Sequence, residues 1–328
     1  MCTSIIYQNK MKQAFLARTM DFSYPLDGKP VFIPSNYEFF KGNKIKSFTS
    51  KYAFVGSGDL HGEYVLADGL NEEGLSAASL YFSADAVYSD EKNSDQVAVA
   101  PHDVVAWLLS MFKTVEEIKE GIWQLNIINE KNSLLKKVIP LHWIVADQSG
   151  KSIVIESVVS GIEVYDNPVN VMTNSPSFTW HLTNLNQYAN LSNASLDPIK
   201  YGQFTAYGNG AGSGGLGLPG DFTSISRFIR IAFMNQYIEK VETTEASLNI
   251  IMRMLTSVYI PKGVKKKSDG RDDYTQFISM MDLNQITYYI NYYEDNQLFK
   301  ISLDEQIKKQ VTPKIFECSK KVMIQKLN

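Results

Sequence analysis

MCTSIIYQNKMKQAFLARTMD, residues 1–21, reads as two β-forming runs, Ser4–Tyr7 and Ala14–Arg18, joined by the turn-like Gln8-Asn9-Lys10. Two such runs across a short polar turn predict a β-hairpin. Arg18 and Asp21 then lie one strand away from Cys2. Cys2 directly follows Met1, and a side chain that small at the second position permits removal of the initiator. The expected mature chain, residues 2–328, begins with a thiol and a free α-amine on one residue. An α-amine titrates at about 7.7 to 8.0 and a thiol at about 8.5. Near neutrality the amine can therefore take the thiol's proton as general base and return it to a leaving amine as general acid. A guanidinium at Arg18 would favour the thiolate, and a carboxylate at Asp21 would orient the amine. Taken alone, the same residues also fit an accidental Met-Cys start with Arg18 and Asp21 as a surface ion pair.

Working outward, short β-rich pieces alternate with polar turns from Val31 to Val55, and Asn71-Glu72-Glu73-Gly74 reads as a tight turn before a strand over Leu75–Phe82. The segment Ser83–Asp95 follows as a candidate substrate loop. Pro101 opens a helix with Val104, Val105, Leu108, Leu109 and Phe112 on one face. Thr114 with Glu117 forms a capping box for a second helix. Both helices are expected on the surface. Four β-rich runs, Leu141–Ala146, Ser152–Val158, Ile162–Tyr165 and Val169–Thr173, predict an antiparallel meander. Helices are expected over Thr179–Leu191, after Asp221, and over Ser247–Tyr259, and strands return from Asp273 to Leu303. The Gly-rich stretch Gly208–Gly220 holds seven glycines in thirteen residues. It lacks the Lys-Ser/Thr and preceding strand of a phosphate-cradling loop. His61, His102, His142 and His181 show no paired ligand spacing, so no metal is expected, and no cofactor; His142 reads as a satisfied core residue.

Cys2 together with Ala17-Arg18-Thr19-Met20-Asp21 resembles the start of the choloylglycine hydrolase family, Ntn hydrolases that include penicillin V acylases and conjugated bile salt hydrolases. Asn71–Leu75, Leu141-His142-Trp143, Met172–Pro176 and Gly215–Asp221 running on to Ser226-Arg227-Phe228 agree, in the family's order. The resemblance implies an α+β fold, the four-layer αββα sandwich of antiparallel sheets. It also implies acyl transfer from a linear amide, with Cys2, Arg18, Asp21, Asn174 and Arg227 in the active site. Asn174 and the backbone N–H of Tyr81 would bind the oxyanion. Tyr at the place of Tyr81 is typical of penicillin V acylases and Asn of bile salt hydrolases. The expectation is therefore a penicillin V acylase, with bile salt hydrolase or N-acyl homoserine lactone acylase as alternatives, and a noncatalytic binding protein on the same scaffold as the reading of another class. The family also implies a homotetramer, with Gly208–Gly220 as a plausible contact.

Composition sets the outer bounds. The 328 residues carry 32 basic against 35 acidic side chains, a net charge of -3, which offers no electrostatic reason to bind nucleic acid. Hydrophobic residues make up 44% and charged ones 20%, ordinary for a folded domain with a sizeable core. The length allows one or two domains, and the absence of a linker or repeat favours one. No apolar run reaches the roughly eighteen residues of a membrane span, and no basic-then-apolar leader opens the chain, so a cytoplasmic protein is expected. Cys2 and Cys318 are the two cysteines, and both thiols are expected free.

Overall fold

The computed structural model describes residues 1–26, 28–39, 48–59, 64–83, 85–91, 93–133 and 135–328. The first run forms strand β1 (Cys2–Gln8) and the second β2 (Ala14–Phe22), paired antiparallel with Cys2 opposite Met20 and Ser4 opposite Arg18. This hairpin sits inside a six-stranded antiparallel sheet. The order is Val171–Met172, β1, β2, Tyr274–Asp282, Thr287–Tyr292, Phe299–Ser302. An eight-stranded sheet faces it, in the order Gly161–Asp166, Ser152–Val158, Leu141–Ala146, Ser76–Tyr81, Val65–Asn71, Phe54–Asp59, Lys29–Ile33, Lys314–Ile315.

Helices cover both outer faces. Helix α1 (Val104–Met111) packs on the strands Val65–Asn71 and Ser76–Tyr81, and with α2 (Val115–Gly121) it shares one apolar cluster with the outer face of that sheet. Helix α3 (Phe178–Leu185) contacts α4 (Ser224–Tyr237), which packs on β1, while α5 (Thr244–Thr256) packs on β2. Their apolar faces join the cluster that fills the space around the six-stranded sheet. The result is the four-layer αββα sandwich, and it explains why strands such as β1 carry apolar residues at successive positions: both faces are covered.

Three local expectations change. Val171–Met172 does not complete the meander; it crosses to the six-stranded sheet and pairs with β1, Ser4 opposite Met172. Strand propensity identifies a strand without identifying its sheet. Helix α1 is no surface helix, since seven of its eight residues are buried. At α2, Thr114 Oγ1 accepts the Glu117 N–H at 3.1 Å, but the Glu117 carboxylate returns to Lys113 N at 2.9 Å, one residue earlier than a capping box requires.

Gly74 is a point where the layers leave no room. Its φ is +80°, and a Cβ there would lie 2.4 Å from the Leu283 carbonyl oxygen and 2.4 Å from Gln148 Cγ. Gly202 also has a positive φ, +60°, but nothing within 4 Å. Gly202→Ala should therefore cost about 1 kcal/mol of backbone strain, and Gly74→Ala at least twice that, roughly 2 to 4 kcal/mol, in urea unfolding. Equal losses for the two variants would show that crowding at Gly74 is relieved by backbone movement.

Candidate functional site

Side chains alternate between the two faces of the hairpin, and directly opposed residues share a face. Cys2, Met20, Ser4 and Arg18 thus point between the two sheets, while Thr3, Thr19 and Asp21 point toward the helices. Arg18, diagonal to Cys2, is long enough to reach it: Nη2 lies 2.7 Å from Cys2 Sγ and 3.3 Å from the Ser79 carbonyl. Nη1 is held by Asp68 Oδ2 at 3.2 Å, a buried ion pair with both side chains at 0% exposure. Burial by itself would lower the Arg18 pKa, but Cys2 and Asp68 more than offset it, and the value is raised.

On the opposite face Arg227, from the first turn of α4, occupies the equivalent place. Thr223 caps this helix, accepting the Ser226 N–H, and so aims Arg227 at the end of β1. Nη1 donates to the Cys2 carbonyl at 2.6 Å, Nη2 to Asn174 Oδ1 at 2.7 Å, and Nε to the Phe222 carbonyl at 3.1 Å. Burial lowers its pKa, and Asp21, with Oδ2 3.9 Å from Nη1, is the first of the anions that oppose this. Arginine ordinarily titrates above 12, so the group stays charged. Asp21 also accepts Thr275 Oγ1–H at 2.6 Å and Thr19 Oγ1–H at 3.2 Å.

Asn174 follows Val171–Met172 and closes the site from the other side of β1. Its Oδ1 accepts the Cys2 backbone N–H at 2.8 Å as well as Arg227, which fixes the amide orientation, and its Nδ2 donates to the Tyr81 carbonyl at 2.8 Å. The partner of Cys2 N is therefore Asn174, whereas Asp21 faces Arg227 and two hydroxyls. Ser224 Oγ accepts the Asn174 N–H and donates to its carbonyl, each at 2.8 Å, and His181 Nε2 donates to the same carbonyl at 2.8 Å.

The thiol opens into a cleft enclosing about 830 Å³, part of it open to solvent. Met20, Phe22, Leu66, Leu135, Ile139 and Leu141 supply apolar walls, and Met1, Cys2, Arg18 and Tyr81 also line the cleft. The loop before Leu141 thus lines the cleft. The expectation of a substrate loop over Ser83–Asp95 is not met by its described residues: Val87, Tyr88 and Ser89 border a different groove. His142 bonds through both nitrogens. Among the described residues no group of three or more His, Cys, Asp or Glu could hold a metal, and no helix is long and apolar enough to cross a membrane. His61 lies outside the described residues. Cys2 and Cys318 are both free thiols.

Sequence reasoning missed Asp68, Ser79 and Ser224. Ser79 and Ser224 act through groups any residue or small hydroxyl supplies, but Asp68 carried a signal: a carboxylate inside the strand Val65–Asn71, where an unpaired charge is not tolerated.

The model of the linear amide C–N hydrolases, choloylglycine hydrolase family, matches residues 2–316. The chain belongs to that family. It is a hydrolase of linear amides, acting on small N-acyl compounds. Bile salt hydrolase/transferase from Clostridium perfringens (strain 13 / Type A) is 36% identical over 307 residues, covering 93% of each chain. The solved C2A mutant of conjugated bile acid hydrolase from Clostridium perfringens superposes with a TM-score of 0.92 at 33% identity, covering 100% of both chains. Penicillin V acylase from Agrobacterium tumefaciens gives a TM-score of 0.75 at 22% identity, covering 94% of this chain and 88% of that one, which is a likeness of fold. These matches correct the ranking that Tyr81 suggested, in which penicillin V acylase came first. Tyr81 is one surface among many, since the apolar wall comes from several segments.

His181 gives the site a pH signature. Burial lowers its pKa from 6.5 to about 4, so the folded imidazole is neutral where the unfolded one is charged. The unfolded chain then binds more protons between these values. Stability is fully present above about pH 6.5 and is lost as pH falls toward 4, by roughly 3 kcal/mol. His181→Gln, which keeps a donor near the Nε2 position, should remove that part of the slope in urea midpoints measured from pH 4 to 7; an unchanged slope would place the titration elsewhere.

Proposed function

We propose that this chain hydrolyses conjugated bile salts, cleaving the amide that joins the steroid acid to glycine or taurine. The observation that carries this reading is the thiol of Cys2 set against the Arg18 guanidinium in a cleft with apolar walls. It is supported by the names borne by the 36% identical relative and by the solved structure at TM-score 0.92. In the proposed mechanism Met1 is removed, and the amine of Cys2 takes the place of the N–H that now meets Asn174 Oδ1. The sulfur, as thiolate, attacks the amide carbon. Asn174 Nδ2–H and the Tyr81 backbone N–H receive the developing oxyanion. The Cys2 ammonium gives its proton to the departing nitrogen, the C–N bond breaks, and a thioester remains. Water then attacks, the amine takes its proton, and the C–S bond breaks to release the acid. Arg18 favours the thiolate, Arg227 holds the Cys2 carbonyl, Asn174 Oδ1 holds its nitrogen, and Asp21 pairs with Arg227.

The mass of the purified enzyme should correspond to residues 2–328, and iodoacetamide should label one fast-reacting thiol. Cys2→Ser should fold and keep less than about a tenth of the wild-type rate. Adding one residue before Cys2 should leave the thiol reactive but abolish turnover. The substrate is decided by kcat/KM for glycocholate, taurocholate, penicillin V and a long-chain acyl homoserine lactone on one preparation. A bile salt should lead by at least about tenfold, or about 1.4 kcal/mol; penicillin V in the lead would return the reading to Tyr81.

We also propose a homotetramer. The hairpin of Ile199–Tyr201 and Phe204–Ala206, just before the Gly-rich stretch, leaves Tyr201 64% and Phe204 68% exposed, a surface that suits burial against another copy. Sedimentation should give a tetramer that dissociates on Tyr201→Glu with Phe204→Glu; a monomeric wild type would sink the proposal.

A further inference from the structure

His142 lies just beyond the cleft-lining Leu141, is buried, and touches from behind the two segments that would bind the oxyanion. Its Nε2 is 3.0 Å from the carbonyl oxygen of Thr173, the residue before Asn174. Its ring stacks on Phe82, the residue after Tyr81, with centroids 4.4 Å apart and planes at 6°. Its Nδ1 is 3.1 Å from Glu156 Oε1, which also accepts the Phe178 N–H at 2.9 Å. Phe178 opens α3, the helix that carries His181 to the Asn174 carbonyl. One imidazole thus joins Tyr81-Phe82, Thr173-Asn174 and the start of α3.

The hydrogens on this ring follow from its partners. A carbonyl oxygen can only accept, so Nε2 carries a hydrogen. Facing Glu156, either an imidazolium Nδ1–H donates to the carboxylate, or a protonated carboxyl donates to Nδ1. The two arrangements hold the same proton, and both fix the ring at each nitrogen.

We propose that His142 is a positioning residue for the oxyanion site: it sets the spacing between Asn174 and Tyr81, so that the Asn174 amide and the Tyr81 backbone converge on one point. This rests on the roles proposed above for those two residues. His142 has no part in activating the thiol, whose neighbours are Arg18 and the end of β1.

Two isosteric variants separate this role from general support of the fold. The amide of His142→Gln can keep a donor at the Nε2 position toward Thr173, whereas His142→Asn keeps one only at the Nδ1 position toward Glu156. With the amide that wild type hydrolyses best, His142→Asn should lose tenfold to a hundredfold in kcat, about what a displacement near 1 Å costs, with KM changed less than threefold. Its rate of alkylation by iodoacetamide should stay within twofold of wild type. His142→Gln should keep kcat within threefold. Crystal structures of the two variants supply a readout that needs no substrate. The separation of Asn174 Nδ2 from the Tyr81 carbonyl, 2.8 Å here, should lengthen in His142→Asn and persist in His142→Gln. Undiminished turnover in His142→Asn, a parallel fall of turnover and alkylation, or an unchanged 2.8 Å separation would overturn the proposal. If His142→Asn does not fold, a folded His142→Gln decides it: retained kcat supports the proposal and a loss beyond tenfold rejects it. A wild type inert toward every amide would end the functional reading above and leave the crystallographic comparison to judge the positioning role.

Discussion

The Arg18–Asp68 pair is the constraint on which the arrangement of the two sheets depends. Removing both charges from water costs several kcal/mol per ion, and that cost is met only when the pair is well made and its remaining hydrogen-bonding capacity is filled. Here the carboxylate is filled from both sheets and both Nη groups of Arg18 are bonded, while its Nε–H has no partner among the described residues. Asp68 Oδ2 also accepts Ser279 Oγ–H at 2.8 Å, and Oδ1 accepts Ser57 Oγ–H at 3.1 Å, with Tyr288 Oη 2.6 Å away. Arg18, Ser279 and Tyr288 come from neighbouring strands of the six-stranded sheet, and Ser57 and Asp68 from the sheet opposite. A one-residue slip of β2 would turn Arg18 toward the helices and strand Asp68 without a cation. The register of the hairpin, the facing of the sheets and the cation at the thiol are therefore one constraint. Because Asp68 takes Nη1, the fork presents Nη2 to Cys2, a division of labour that a lysine ammonium with its single rotatable head would not fix.

A second guanidinium does for the backbone of Cys2 what the first does for its sulfur. Arg227 reaches the carbonyl of Cys2 and the side chain of Asn174, so the first residue of the strand is gripped at its backbone from the helical layer and at its side chain from between the sheets. The N-terminus of a strand is ordinarily where a sheet frays. Here Cys2 is bonded at its nitrogen, carbonyl and sulfur, by Asn174, Arg227 and Arg18, which fixes its position in the strand.

The sequence made the hairpin, the helices and the layered class legible, because each has a local signature: β-forming runs around a polar turn, apolar residues at helical spacing, a Thr at an N-cap. It did not reveal that Val171–Met172 leaves the meander for the other sheet, and that crossing is what brings Asn174 to Cys2. Sheet membership is a tertiary property with no local signal. Period-two alternation could have put Asp21 on the face opposite the thiol, but runs buried on both sides hide that alternation behind continuous hydrophobicity. The signal at Asp68 went unread because the strand that makes its charge anomalous was itself not recognised in the sequence. Followed by Gly69, Asp68 has the look of a turn, and only the facing Arg18 explains a carboxylate in mid-strand.

Tyr81 shows why a site can be read further than its specificity. The backbone of Tyr81 is tied to Asn174 through its carbonyl, so the placement of that backbone follows strand position rather than the side chain. The side chain lines the cleft, with Lys267 Nζ 5.7 Å from the ring centroid, and is free to vary without disturbing that bond. An aromatic contact adds about 0.5 to 1.5 kcal/mol beyond the area it buries. Burying an extended apolar substrate against walls drawn from β2, the strand Val65–Asn71 and the loop before Leu141 contributes about 25 cal/mol for each Å², so even 100 Å² of additional wall contact outweighs the identity of one ring. Selectivity in such a cleft belongs to the sum of the strands and the loop that wall it, and the loop is where a sequence motif carries the least information.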